Sequence, residues 1–486
     1  MFAGIGLLVV ALVAVAIVFV PRLLRPGTPA SPGPGQSATP TPVDQSPREG
    51  SAGLGDPYFP DFGSGGYDVS HYDINVSWDP DTQVLTGQTT FTAKTTQNLA
   101  GFYFDLLLPV KAVKVNGTAA KFSQPAGSQD VQVEAPALPV GTEFAVTVDY
   151  AGKPEDYNKG REASWLVSGI ERVVCGEPSG SVWWYPANDY PTDPASFDVK
   201  IRVPSGYQAI SVGTLVSKDA GNEAAFDTWS YRMANTVPTY TVFMALGHYE
   251  IETGTAGGRP FLYAVSQQFD ATARKTYFEN LRKTPQIVAQ MEQYLGKYPL
   301  SDLGGVVPAV RFWFGALEDA GRPLYAANAA TPEIIAHEYT HMWAGDTVTL
   351  RQWKDIFNNE AMASYSEWVW EEKKGGRAAA VTFAEYWQSV KNDPKFFSIK
   401  MSDPGKNEIF TTVYSKGPMA MHALRTIMGD DAFFKMWADW LGQSGPRSVN
   451  DFLAFAKART DKDLNPWFKA WLLDTVAPAP TKENGF

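Results

Sequence analysis

The chain has 486 residues, 44% of them apolar and 19% charged, which is ample material for two or three globular domains. A formal net charge of −11 sets the chain against phosphate backbones and excludes nucleic acid as the expected partner. A single cysteine, Cys175, rules out an intramolecular disulfide and reads as a small buried apolar residue rather than a nucleophile.

The first element is apolar. Ala3 to Val20 contains no charged residue and is long enough for one membrane helix, and Pro21 ends it. Residues 1–25 are therefore expected to be a single-pass anchor in the cell membrane. Arg22 and Arg25 argue for a cytoplasmic C-terminal side. Long domains are nevertheless translocated against small charge biases, and the next segment has the composition of an extracellular spacer. The folded body is expected outside the cell. Residues 26–60 are rich in Pro, Gly, Ser and Thr and read as a disordered linker.

Residues 61–252 carry strand patterns. Tyr72, Ile74, Val76 and Trp78 alternate with polar residues, Asp79-Pro80-Asp81 reads as a turn, and Asn116-Gly117 is a hairpin signal. The expected fold there is an antiparallel β saddle or sandwich. From about residue 253 to 476 the period becomes helical. Ala271 to Leu295 reads as one long helix closed by Gly296, and Val306 to Phe314 as a strand. Residues 477–486 read as a loose Pro-rich tail. The fold class is thus multidomain α+β on a membrane tether.

The chemistry lies at His337-Glu-Tyr-Thr-His341. Thr331 is a helix N-cap, Pro332 suits the first helical position, and Gly345 is a natural stop. Residues four apart share a helix face, so both imidazoles can bind one ion while Glu338 reaches a water beside it. A catalytic zinc site needs a third protein ligand. His71, His248 and His422 have no ligand-like spacing. Glu360 follows His341 after eighteen residues, at the start of a second helical pattern running to Lys373, and completes a His-His-Glu set. Glu367 lies seven residues after Glu360, on the same helix face, and is a candidate to support a zinc histidine, as is Asp346; the sequence does not choose between them.

This pattern resembles the aminopeptidase N and leukotriene hydrolase family of gluzincin zinc metallopeptidases. The eighteen-residue gap and the Asn359-Glu360 pair have that family's form. Gly315-Ala316-Leu317-Glu318-Asp319 is similar to the family's Gly-Ala-Met-Glu-Asn substrate motif. Tyr414-Ser-Lys-Gly417 looks like the segment bearing its catalytic tyrosine. Cys175-Gly-Glu177, with Trp183 to Pro186 and Asp189, is similar to the β-domain segment that reaches the active site. The family's large C-terminal helical domain has no counterpart in the pattern.

The resemblance implies a thermolysin-like catalytic domain with one Zn2+ per chain on His337, His341 and Glu360. Glu338 is then the general base and Tyr414 the oxyanion donor. Glu318 and Glu177, with Gly315 and Ala316, bind a peptide with a free N-terminus. Leu317, Asp319 and Cys175 depart from the family pattern and put the first-residue pocket in question. Two other readings stand beside an aminopeptidase. One is a thermolysin-type endopeptidase. The other is a membrane-tethered zinc module that has lost catalysis.

Overall fold

The chain alternates short in-out strands with turn residues, and these strands make up the first part of the fold. The computed structural model describes residues 46–158, 164–220 and 225–486. The expected anchor over 1–25 and the linker to residue 45 lie outside the described residues. Among the described residues, no helix is long and apolar enough to cross a membrane.

Tyr67–Asp79 buries Tyr72, Ile74, Val76 and Trp78 on one face, as the period-two pattern requires. It pairs with Val84–Thr95 through a turn in which Asp79 accepts from the backbone of Asp81 at 2.9 Å. Asn116 and Gly117 both take positive φ, +50° and +78°, and close the hairpin between Val110–Val115 and Thr118–Ala120. These strands belong to an eight-stranded sheet. The expectation of an antiparallel layer needs correction. Ala195–Pro204 lies parallel to Tyr67–Asp79, and Phe197 stacks on Tyr72 at 5.1 Å. A long excursion separates the two strands in sequence, so nothing forces them into a hairpin. Two four-stranded sheets complete this part.

The helical part rests on a five-stranded sheet. Its order is Tyr249–Ala256, Arg259–Ser266, Leu303–Val307, Leu324–Tyr325, Ala316–Leu317. The first strand runs across residue 252, so the boundary expected between 252 and 253 falls inside an element. The chain changes sheets between Met244–Gly247 and Tyr249–Ala256. Helices follow: α1 (Ala271–Leu281), α2 (Thr284–Leu295), α3 (Pro332–His341), α4 (Met362–Lys373), α5 (Ala379–Val390), α6 (Pro394–Phe397) and α7 (Val413–Met428). The single helix expected over 271–295 is two, because Pro285 in the first turn of α2 cannot donate a backbone hydrogen bond. The strand expected over 306–314 stops at Val307, ahead of Pro308.

Two segments expected to be loose are packed. Residues from Ser46 form one compact unit with the rest of the described chain, to Phe486. Asp56 is 1% exposed and Arg48–Glu49 pairs with Leu99–Asp105. At the other end, Phe486 lies 4.5 Å from the Trp387 ring, and Trp471 Nε1 donates to Asn484 O at 2.9 Å. Aromatic contacts hold these ends where composition suggested solvent.

Candidate metal centre

Thr331 caps α3, its Oγ1 accepting from Ile334 N at 3.3 Å, and Pro332 starts the helix. The helix runs three turns and ends at His341. Gly345 sits at φ +129°, and a Cβ there would lie 2.5 Å from Asn359 Oδ1. Glycine therefore lets the returning chain close on Asn359. That chain enters α4 through a wider, π-type turn, Phe357–Ala361, which carries Glu360. The crossing of α3 and α4 brings the two segments together.

Nε2 of His337 lies 3.3 Å from Glu360 Oε2, and Nε2 of His341 lies 3.4 Å from the same oxygen. All three residues are buried, and Glu360 Oε2 has no hydrogen-bond partner among the described residues. The outer nitrogens are held from behind. His337 Nδ1 contacts Glu367 Oε1 at 2.7 Å, and His341 Nδ1 contacts Asn359 Oδ1. With Nδ1 donating to these acceptors, a neutral imidazole directs its Nε2 lone pair at the point shared with Glu360. Two nitrogens and an orphaned buried carboxylate oxygen fit a tetrahedral divalent cation with one open position. Burial alone would lower His341, but the Glu318 and Glu360 carboxylates outweigh it and raise it to about 10. A cation entering this site therefore displaces protons.

The structure chooses Glu367 over Asp346 as the support for His337. Both carboxylate oxygens of Asp346 lack a hydrogen-bond partner among the described residues, and its backbone N donates to His341 O at 3.0 Å rather than to the ring.

Glu338 is 5% exposed and faces the same opening. Burial, reinforced by Glu318 and Glu360 and opposed by the two histidines, pushes its carboxyl up to about 8. A bound cation opposes that shift. Tyr414, in the first turn of α7, donates from its hydroxyl to Glu360 Oε1 at 3.0 Å. The residue is 40% exposed, and its hydroxyl end reaches into the cavity to meet Glu360. Burial of that end, with Glu360 and Glu177 nearby, raises the phenol well above its ordinary range and keeps it a donor.

Glu177 and Glu318 line the same cavity of about 370 Å³, both nearly buried. Asn359 joins them. Its Nδ2 donates to Glu177 Oε1 at 3.5 Å and to Glu318 Oε1 at 3.4 Å, while its Oδ1 serves His341. Tyr240 OH donates to Glu318 Oε1 at 3.4 Å. Neither of these bridging roles is visible in sequence. Only the adjacency of Asn359 to Glu360 hinted at the first, and nothing marked Tyr240. Gly315 and Ala316 also line the cavity, and Ala316–Leu317 is the edge strand of its sheet. Of the three departures from the family pattern, Leu317 lines the cavity, whereas Cys175 and Asp319 are buried outside its lining.

Residues 279–471 match the peptidase family M1 domain. An aminopeptidase N of Acetobacter pasteurianus is 25% identical over 328 residues, 60% of this chain and 88% of the relative. An aminopeptidase N of Streptomyces lividans is 24% identical over 57% of this chain, which spans 35% of that relative's length. An M1 zinc metallopeptidase from Deinococcus radiodurans, solved with a Tyr-Ser-Ala substrate, matches with a TM-score of 0.79 and 27% identity. That match covers 88% of this chain and 100% of the other.

Proposed function

Because the chain belongs to the aminopeptidase N family of gluzincin zinc metallopeptidases, we propose that it removes residues one at a time from the free N-terminus of peptides. His337, His341 and Glu360 would hold one Zn2+, which when bound supplies a Lewis acid for the scissile carbonyl and a water of lowered pKa, near about 7. The carboxylate of Glu338 takes the water's proton and later hands it to the leaving amine. The Tyr414 hydroxyl donates to the oxyanion that develops on the substrate carbonyl. Glu318 and Glu177 hold the α-ammonium group by charge-assisted hydrogen bonds. Gly315 and Ala316, on the sheet edge, offer backbone to an extended peptide.

The observation that carries this reading is the Asn359 bridge. It ties both anchoring carboxylates to the helix face of His341. The cavity is thereby walled by two buried carboxylates beside the metal set. An endopeptidase would need that side open for the rest of the chain. A binding module without catalysis has no use for Glu338 and Tyr414 facing the same opening.

The test is a panel of aminoacyl fluorogenic substrates and their N-acetylated forms, with and without chelator. Free-amine substrates should be cleaved, acetylated ones spared, and chelation should abolish turnover. Glu318→Ala should lower kcat/KM by roughly 30-fold or more, the effect of removing one partner of a buried charge pair. Equal cleavage of acetylated and free substrates refutes the proposal.

A further inference from the structure

The segment just before the β layer has the composition of a linker, yet it is built into the body. Leu54 N donates to Phe62 O at 3.1 Å and Gly55 N to Pro60 O at 3.2 Å, folding residues 54–62 into a loop. At its base is Asp56, 1% exposed. Its Oδ1 accepts from Tyr58 N at 2.7 Å and Phe59 N at 3.1 Å. Its Oδ2 accepts from Tyr190 OH at 2.5 Å and from Trp353 N at 2.9 Å. A buried carboxylate with four donors, and no ion pair among the described residues, is held by hydrogen bonds. The donors come from three parts of the chain: the segment itself, the β layer, and the loop seven residues before Glu360.

That loop leads to the active site. The Trp353 ring is fully buried, 6.1 Å from Phe59 and 5.4 Å from Tyr240, both edge-on. Tyr240 in turn donates to Glu318. The segment has a second hold. Tyr58 OH donates to Asp403 Oδ1 at 2.5 Å and accepts from Gly405 N at 2.7 Å, on the loop that leads into α7 and Tyr414.

We infer that residues 46–62 are a positioning strap for the active site. Asp56 fixes the loop that carries Glu360 and, through Trp353 and Tyr240, the placement of Glu318. Tyr58 fixes the approach to Tyr414. The hydrogen bonds of Asp56 and Tyr58 go to these loops rather than to the metal set, so the strap acts through the loops it ties down. The inference rests on the reading of His337, His341 and Glu360 as a zinc site and of Glu318 as the amine anchor.

The experiment uses the full chain. Asp56→Asn keeps the shape but sets an amide NH2 against two of the four donors. Zinc release to a colorimetric chelator should be about 3-fold faster, less than the roughly 10-fold or more that follows loss of a direct partner of a metal ligand, because Asp56 acts through the Trp353 segment. KM for aminoacyl substrates should rise more than kcat falls, because Glu318 holds the ammonium in ground and transition states alike. A merely structural loss would reduce the folded fraction, and so kcat, at unchanged KM. Ile201→Val, at a buried position of Ala195–Pro204, is the stability control and should release zinc at the wild-type rate. If Asp56→Asn does not fold, Tyr190→Phe removes one of the two donors to Asp56 Oδ2 and should accelerate release in the same direction. Zinc release and KM both at wild-type values overturn the inference, as does equal acceleration in the control. A wild-type chain that cleaves nothing, yet releases zinc faster when Asp56 is changed, keeps the strap and removes the proposed function.

Discussion

Gly417→Ala tests how tightly the oxyanion donor is placed. Gly417 is one turn after Tyr414 on α7, on the same helix face. A Cβ at Gly417 would lie 2.5 Å from Ala361 Cβ and 3.0 Å from Ala361 Cα, in the turn that carries Glu360. Ordinary carbon contact begins at about 3.5 Å, so α7 must retreat by about 1 Å. The Tyr414 to Glu360 hydrogen bond, 3.0 Å in this structure, would open to about 4 Å and be lost. Two effects on stability oppose each other. Alanine in a helix interior is favoured over glycine by about 1 kcal/mol, while overpacking a buried contact costs about 1–3 kcal/mol. Net stability should fall by about 1 kcal/mol, a change of a few degrees at most in a thermal melt. Activity should fall far more, by about 100-fold in kcat, the effect of losing an oxyanion donor. Steady-state kinetics beside calorimetry separates the two. Adding Gly417→Ala to Tyr414→Phe should cost little further activity, because both act on one hydroxyl. A variant with wild-type kcat and raised stability would refute the close-packing argument.

Glu338→Gln should keep one zinc per chain by metal analysis while hydrolysis drops below detection, and retained turnover removes Glu338 as the base. Asn359→Ala should weaken the metal site and the amine anchor together. Zinc affinity should fall about 10-fold or more and KM should rise in the same variant, measured by chelator competition and initial rates; a change in only one of the two breaks the bridging role.

What could be read from residues alone was local. The i, i+4 spacing of His337 and His341, capped by Thr331 and started by Pro332, determines a shared helix face through the 3.6-residue period, and the structure places them so. The alternation from Tyr72 to Trp78 determines which face of its strand is buried in the same way. The eighteen-residue gap allowed Glu360 to return to the histidines, but the distances of 3.3 and 3.4 Å depend on the α3–α4 crossing and on a π-type turn that has no composition signal. The parallel pairing of Ala195–Pro204 with Tyr67–Asp79 lay equally beyond reach, because pairing partners far apart in sequence are chosen by packing. The same holds for the two ends. Residues 46–60 and 477–486 have the composition of loose chain, and a few side chains, Asp56, Tyr58 and Phe486, commit them to the body by contacts with residues far along the chain. Asn359 and Tyr240 are the same case at the active site. Sequence determined which groups were available for the chemistry, through period and spacing. Tertiary structure alone decided which buried polar atoms would meet, because a hydrogen bond across 182 residues, such as Asn359 to Glu177, leaves no periodic trace.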